Sequence, residues 1–179
     1  MAQPAFYVFL SHGLESGPGS TKIQALKTVA ETFSGVYAEA VDHRSTKDPA
    51  ERLEQMRHAM ASVGARPEQT ILAGSSMGGW VCARTSEQAP VRGCFMLAPA
   101  LALPDYPESN PVIGAHHARI IHGWNDDVVP VMPVLELARR QQIEALVLPD
   151  GHRLENSVQR VAEEFRRFLF LCVENPNPS

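Results

Sequence analysis

Cysteine is scarce in this chain of 179 residues, and its three cysteines form no recognisable pattern. Cys82, Cys94 and Cys172 are odd in number and far apart, which fits neither a disulfide framework nor the spacing of zinc ligands. We therefore expect buried thiols in a reducing, cytoplasmic compartment, where disulfides are rare.

The chain also lacks an excess of positive charge and any long apolar run. It has 16 basic and 20 acidic residues, a net charge of -4, whereas proteins that bind a phosphate backbone usually carry a basic excess. The longest apolar runs, at 5–10 and 94–103, are short of the roughly 20 residues that a membrane span needs. The N-terminus has no signal-peptide pattern. We expect neither a nucleic-acid partner nor a membrane span.

The signatures of nucleotide binding are missing as well. The chain has no G-x-G-x-x-G and no Walker loop, and its glycine-rich segment 16–20 lacks the Walker lysine. A metal site would need several converging ligands, and His43, His116 and His117 have no spacing that supports one. We therefore expect neither a cofactor nor a metal ion.

What remains is the composition of an ordinary globular domain. Apolar residues make up 44% of the chain and charged residues 20%, close to the averages for folded proteins. The length suits one domain. We place this domain at residues 1–174 and expect a flexible tail at 175–179.

Short apolar runs alternate with helical periodicity along the chain. The strand candidates lack polar alternation, so both faces of their sheet should be covered by helices. This alternation predicts an α/β fold with about six parallel strands. Functional residues should then directly follow strands, because sites in such sheets form at the carboxyl ends. The predicted strands are 6–10, 36–41, 70–74, 94–97, 119–122 and 145–148.

Capping residues mark several helix boundaries. Asp48 and Pro49 are typical of a helix start, and Ser20 or Thr21 can cap an earlier helix. Near the C-terminus, apolar residues recur at steps of three and four, which is typical of an amphipathic helix. The other predicted helices begin near Gly78 and span 134–141 and about 158–172.

The most specific motif is the G-x-S-x-G pentapeptide at 74–78, which follows a predicted strand and precedes a predicted helix. This is the context that a nucleophile elbow requires. The glycines allow a tight turn that presents the Ser76 hydroxyl clear of the backbone, and the amides of the helix N-terminus favour developing negative charge. We expect Ser76 to be a nucleophile rather than only a helix cap, and Ser75 to cap the helix or line the pocket.

A serine hydroxyl needs a base to take its proton, and the base needs a carboxylate to orient it. His152 follows the last predicted strand, and Asp126 follows the strand before it, so the chain order is serine, acid, histidine. Asp127 is an adjacent rival for the acid. Asp150 is a further carboxylate, which we interpret as a solvated turn residue.

The remaining histidines have simpler interpretations. His12 and His122 precede glycines and are expected to form loop hydrogen bonds. His43 follows a predicted strand and could line the site. His116 and His117 are expected in a solvated connection.

Four segments at strand ends form a recognisable set: FLSHGL at 9–14, GSSMG at 74–78, HGWNDDVVP at 122–130 and GH at 151–152. In this order they resemble the HG oxyanion loop, the elbow, the HG-x-x-D-x-x-VP acid segment and the GH dipeptide of the α/β-hydrolase superfamily. The resemblance is to its small bacterial serine esterases without a lid domain. It covers residues 6 to about 171.

This resemblance implies the residues of the site. Ser76, Asp126 and His152 would form the catalytic triad. The backbone N–H groups of Leu14 and Met77 would form the oxyanion hole, the pair of donors that stabilises the tetrahedral intermediate.

The chain departs from the family pattern at two places. It begins at what the family would call its third strand, so the antiparallel N-terminal hairpin is missing. The stretch 98–118, where a lid would enter, is too short for a lid domain. We therefore expect an open or shallow site and a modest acyl group. Trp80 and Trp124 are expected to pack in the fold, although Trp124 could border the site.

The expected activity is that of a serine hydrolase, which cleaves a carboxylic ester of a small or medium acyl substrate through an acyl-enzyme. Thioester and amide hydrolysis use the same groups and stay open as alternatives. A non-catalytic hydrolase-like binding domain is a second class of hypothesis, and a cofactor-free lyase or haloperoxidase-like enzyme is a third. The expected partner is a small-molecule acyl substrate, and the sequence specifies no oligomeric state.

Overall fold

One parallel sheet of six strands forms the centre of the computed structural model, which describes residues 3–174. Five helices and two short 3₁₀ turns, Pro67–Gln69 and Glu155–Ser157, connect and cover it. The strands are β1 (Phe6–Ser11), β2 (Val36–Val41), β3 (Thr70–Ser75), β4 (Val91–Leu97), β5 (Ala115–Gly123) and β6 (Glu144–Leu148). The helices are α1 (Thr21–Glu31), α2 (Pro49–Ser62), α3 (Met77–Gln88), α4 (Val131–Gln141) and α5 (Val158–Glu174).

The strand order β2-β1-β3-β4-β5-β6 places β1 between the second and third strands. The chain moves to one side of β1 to form β2 and then crosses back to form β3. Because crossover connections are right-handed, α1 and α2 lie on opposite faces. The loops after β1 and β3 therefore diverge, which opens a crevice at the carboxyl ends of the strands. Ser11 and Gly74 are paired neighbours at this edge.

Helices cover both faces of the sheet, each over its own apolar core. On one face, α1 and α5 bury Leu26 and Phe165, and the Phe165 ring packs against Phe95 with ring centroids 5.0 Å apart. On the other face, α2 and α3 bury Met56 and Trp80 together with residues of α4. The predicted α/β fold with six parallel strands and helices on both faces is confirmed.

Three strands begin earlier than predicted, β4 at Val91, β5 at Ala115 and β6 at Glu144. The apolar pattern breaks at Arg92, but the fold buries this side chain, whose Nε donates to the Cys172 carbonyl at 2.8 Å. His116 and His117 lie in β5, so their expected place in a solvated connection is wrong. The remaining connection, 98–114, contains no helix.

The helix starts agree only in part with the capping residues. Asp48 accepts a hydrogen bond from Glu51 N at 2.9 Å, as an N-cap should, and Pro49 is the first residue of α2. Ser20 occupies the N-cap position of α1 but makes no capping bond through its side chain. α4 begins at Val131 rather than at 134, because proline is tolerated in the first turn of a helix, as at Pro133.

Three further expectations concern the C-terminal tail, a membrane span and the N-terminal hairpin. The flexible tail expected at 175–179 lies outside the described residues. None of the helices in residues 3–174 is long and apolar enough to span a membrane. No antiparallel hairpin precedes β1 in this part of the chain.

Candidate active site

The turn between β3 and α3 holds Ser76 in a conformation that is rare for a residue with a side chain, at φ 56° and ψ −121°. Neighbouring backbone leaves no room for side chains on either side of it. A Cβ on Gly74 would collide with the Gly78 carbonyl, and one on Gly78 would collide with the Ser11 carbonyl. The glycines of the motif are therefore required by close packing, and Ser76 stands at the N-terminus of a helix.

His152 connects this serine to a carboxylate. Its Nε2 lies 3.0 Å from Ser76 Oγ, and its Nδ1 lies 2.8 Å from Asp126 Oδ2. The Asp126 side chain is fully buried, whereas that of His152 is 17% exposed. The imidazole thus faces the crevice while the carboxylate is shielded from water. The structure brings together the three side chains that the sequence singled out.

The loop after β5 positions the carboxylate. Asp126 Oδ1 accepts hydrogen bonds from the backbone N–H groups of Val128 at 2.9 Å and Val129 at 2.7 Å. Oδ2 is thereby left for His152. The adjacent Asp127 is exposed. The structure therefore brings Asp126 to the histidine, and not its rival.

Asp150 is not the solvated turn residue that we expected, because its side chain is buried. Its carboxylate accepts hydrogen bonds from Gly151 N at 2.8 Å, from Asn156 N and Nδ2, and from Ser157 Oγ at 2.8 Å. Burial alone would raise the pKa of Asp150, but these donors outweigh it and hold the pKa below its usual range. Asp150 therefore pins the turn that carries His152.

The loop after β1 lies directly against the elbow. A Cβ built on Gly13 would be 3.5 Å from Ser76 Cβ, so the next residue, Leu14, lies at the edge of the crevice. In residues 3–174, neither Leu14 N–H nor Met77 N–H is used in a hydrogen bond. The two N–H groups expected to form the oxyanion hole are therefore not taken up by other hydrogen bonds within these residues.

Two buried histidines support this loop from behind. His12 Nδ1 donates to the Gly13 carbonyl at 2.8 Å, which leaves Nε2 to accept from His43 N at 3.0 Å. His43 Nδ1 lies 2.8 Å from Gln55 Oε1. Burial lowers the pKa of His12 and lowers that of His43 to about 4. The hypothesis that His43 lines the site is wrong: it lies beneath the loop as a neutral side chain.

Other residues near the acid loop have separate roles. His122 is buried beside Asp126, accepts from Gly123 N at 2.9 Å, and has a pKa lowered by burial. Trp80 is packed as expected, and its Nε1 donates to the Glu108 carbonyl. Trp124 is 55% exposed, so its expected role in packing is wrong.

Sequence reasoning missed two cations at this edge. Lys22 is half-buried in the first turn of α1, where burial lowers its pKa to about 8 against the attraction of Asp126 and Asp150. Arg52 is buried on α2 and reaches the loop after β1. The second could have been found, because it precedes the apolar Met56 by four residues and therefore shares its inward face. No group of three or more His, Cys, Asp or Glu side chains in residues 3–174 could hold a metal ion.

Comparison with known structures defines the class: this chain has the fold of the α/β-hydrolase superfamily. A Xanthomonas campestris pv. campestris protein assigned to that superfamily is 29% identical, with a TM-score of 0.81 over 92% of this chain and 98% of that one. Est1E from Butyrivibrio proteoclasticus is 14% identical, with a TM-score of 0.78 over 97% and 90% of the two chains. The ydeN gene product from B. subtilis is 18% identical, with a TM-score of 0.74 over 92% and 98%.

The family within this superfamily follows from the sequence itself. Residues 6–168 match the uncharacterised protein family UPF0227, and the chain belongs to this family. A search of curated proteins gives no match.

Proposed function

We propose that this protein is a serine hydrolase that cleaves carboxylic esters of small or medium acyl groups. The observation that carries the proposal is the hydrogen-bonded series from Ser76 Oγ through His152 to the buried Asp126, at 3.0 and 2.8 Å, on a strained turn at a helix N-terminus. A binding domain has no use for a serine, a base and an orienting acid in this arrangement.

The roles of the three side chains follow from this geometry. His152 Nε2 takes the proton of Ser76 as Oγ attacks the ester carbonyl carbon. The imidazolium then gives this proton to the departing alkoxide as the tetrahedral intermediate collapses to the acyl-enzyme. Water, deprotonated by His152, attacks the acyl-enzyme and releases the acid. Asp126 stays ionised, holds Nδ1–H, and stabilises the positive charge on the ring.

The developing oxyanion needs donors that are already in place. Within residues 3–174, the N–H groups of Met77 and Leu14 make no other hydrogen bond, and they lie on the two loops beside Ser76. Met77 begins α3, so the helix dipole favours negative charge there. We assign these two groups to the oxyanion hole.

The surroundings of the serine support a modest apolar acyl or alcohol group. The connection between β4 and β5 has no helix that could form a lid. Trp124, Val128 and Met132 expose large apolar side chains on the acid loop and the start of α4. An open site with an apolar border suits small esters better than long chains, which need an enclosed channel to be removed from water.

The test uses a fluorophosphonate probe and p-nitrophenyl acetate and octanoate at about pH 8. The wild type should be labelled and should hydrolyse the acetate faster. Ser76→Ala should lose the label and at least about 1,000-fold in kcat, since loss of a triad nucleophile removes most catalysis. Ser62→Ala, at the exposed end of α2, is the matched control and should keep both.

Three outcomes would contradict parts of the proposal. A folded wild type without label or turnover would favour a non-catalytic binding domain. Labelling with turnover of thioesters or amides alone would retain the nucleophile and overturn the ester substrate. Labelling that persists in Ser76→Ala would overturn the assignment of the nucleophile.

A further inference from the structure

A buried guanidinium stands behind the loop that follows β1. Arg52 is 1% exposed, and its donors are directed at backbone carbonyl groups. Nη1 donates to His12 O at 3.3 Å and to Gly13 O at 3.2 Å, while Nη2 donates to Leu14 O at 3.2 Å. Nε donates to Thr46 O at 3.1 Å. One side chain on α2 thus holds three consecutive carbonyls of the loop.

This cation is buried without a counter-ion. No carboxylate in residues 3–174 lies within ion-pair distance of Arg52, and burial lowers the pKa of its guanidinium. Removing a charge from water costs several kcal/mol unless an opposite charge offsets it. An apolar side chain would avoid this cost but would leave the carbonyls of the loop without these donors, so the reason for an arginine here lies in the loop that it holds.

Peptide geometry supplies that reason. A trans peptide unit is planar, and its C=O and N–H point to opposite sides. The Gly13 carbonyl points to Arg52 and to His12 Nδ1, so the N–H of the same unit, which belongs to Leu14, points away from α2. Gly13 itself lies against Ser76. The Leu14 N–H therefore belongs to a peptide unit whose carbonyl is held by Arg52 and whose Gly13 end lies beside the serine.

We propose that Arg52 is a positioning residue for the oxyanion hole. By holding the carbonyls of Gly13 and Leu14, it fixes the peptide units on both sides of Leu14 and keeps the Leu14 N–H directed at the Ser76 side. Its unpaired positive charge also favours the oxyanion electrostatically. This inference rests on the proposed serine-hydrolase function, since it assigns a task to a donor of that mechanism.

The experiment compares Arg52→Met, Arg52→Lys and the control Asp48→Ala. Asp48 caps the same helix, so its loss should lower stability by about 1 kcal/mol while Arg52 keeps its contacts. Each variant is assayed with p-nitrophenyl acetate and with its thionoester, in which sulfur replaces the carbonyl oxygen. Sulfur is larger and a weaker acceptor, so an aligned oxyanion hole favours the oxoester.

Arg52→Met should lower kcat about 10- to 100-fold, part of the 100- to 1,000-fold that a lost oxyanion donor costs. KM should change little, and the ratio of oxoester to thionoester rates should fall. Arg52→Lys keeps the charge but cannot span three carbonyls, so it should recover less than half of the loss on a logarithmic scale. Asp48→Ala should keep the wild-type kcat and ratio.

A readout that needs no substrate separates this inference from the proposed function. Hydrogen exchange, followed by mass spectrometry on peptides covering 11–16, should be at least about tenfold faster in Arg52→Met, because the loop has lost the three hydrogen bonds from the guanidinium to its carbonyl groups. If the wild type proves inactive, unchanged exchange still overturns the positioning of the loop. If the wild type is active, a wild-type kcat and rate ratio in folded Arg52→Met overturn the inference. If Arg52→Met does not fold, a wild-type kcat in Arg52→Lys overturns the inference.

Discussion

Arg52 and Arg119 are both buried, 1% and 8% exposed, yet they lie in contrasting electrostatic surroundings. Arg119, in β5, binds Glu144 at 2.5 Å and Glu164 at 3.2 Å. Glu164 also binds Arg160 at 2.9 Å, so acids and bases alternate on this side of the sheet. Within the described part of the chain, the hydrogen-bond partners of Arg52, behind the crevice, are all backbone carbonyl groups.

The surroundings of Arg119 and Arg52 illustrate two uses of a buried charge. Beside α5, the buried charges of Arg119 and Glu164 meet opposite charges, and the network connects the last helix to the strands beneath it. At the crevice, the buried groups are held by neutral partners, so their geometry is fixed while their charge stays available. We therefore expect changes at the crevice to act on catalysis or on pH dependence, and changes beside α5 to act on stability alone.

The largest effect is expected at the acid of the crevice. Asp126→Asn keeps the shape of the side chain but removes the charge that orients and stabilises protonated His152, so kcat should fall by about 10,000-fold. The change should leave a folded protein, because an oxygen remains to accept the two backbone hydrogen bonds. Ester turnover and circular dichroism of the purified variant check both expectations.

The matched control is the second buried carboxylate of the same edge. Among residues 3–174, the Asp150 carboxylate accepts hydrogen bonds only from groups of its own turn, so Asp150→Asn should cost about 2 kcal/mol of stability through unpaired donors. Its kcat should stay within about tenfold of the wild type. A loss of kcat as large in Asp150→Asn as in Asp126→Asn would erase the distinction between the acid and the residue that pins the turn.

Beside α5, the expected effect is on stability. Glu164 is buried and contacts Arg119, Arg160 and Arg167. Glu164→Ala leaves Arg119 with one carboxylate partner, so the free energy of unfolding should fall by about 3 kcal/mol. Urea unfolding measures this loss. Glu163→Ala, an exposed neighbour, should cost less than about 0.5 kcal/mol. A fall in kcat of folded Glu164→Ala would show that the two regions are coupled.

Local signals made much of this architecture predictable. The six strands were visible as apolar runs, and the three side chains of the site directly follow strands in short motifs. The signals failed where a distant segment decides the environment. Arg92 interrupts an apolar run, but packing against α5 buries its side chain, so β4 begins before this residue. The sequence predicts a solvated turn residue at Asp150, but the chain from Gly151 to Ser157 folds back over its carboxylate.

The role of Arg52 was harder to predict from the sequence than the roles of the three side chains of the site. An arginine on the inward face of a helix is visible in the sequence, but the three loop carbonyls that it binds lie 38 to 40 residues earlier in the chain. Only the packing of α2 beside β1 brings them together. Its task could therefore not be deduced from spacing.

The smallest predicted effect is a pH dependence at the crevice. His43 is buried against His12 and Gln55, near the charges of Arg52 and Asp42, and burial lowers its pKa to about 4. In the unfolded chain its pKa is about 6.5. The unfolded state therefore binds more protons below pH 6.5, and stability falls as pH drops toward 4.

The difference between the pKa of His43 in the folded and in the unfolded chain sets the size of this loss and the pH range in which it occurs. Between pH 7.5 and pH 5, His43 should remove about 2 kcal/mol of unfolding free energy. His12 acts in the same direction, because burial lowers its pKa as well.

Urea unfolding of His43→Asn at both pH values should show a loss smaller by about 2 kcal/mol than that of the wild type. His58→Asn, on the exposed face of α2, should keep the wild-type loss. An equal loss in wild type and His43→Asn would mean that acid acts elsewhere. The expected result would place the acid sensitivity beside Arg52, where protonation of His43 adds a second positive charge next to a buried guanidinium, and not in the balanced network of α5.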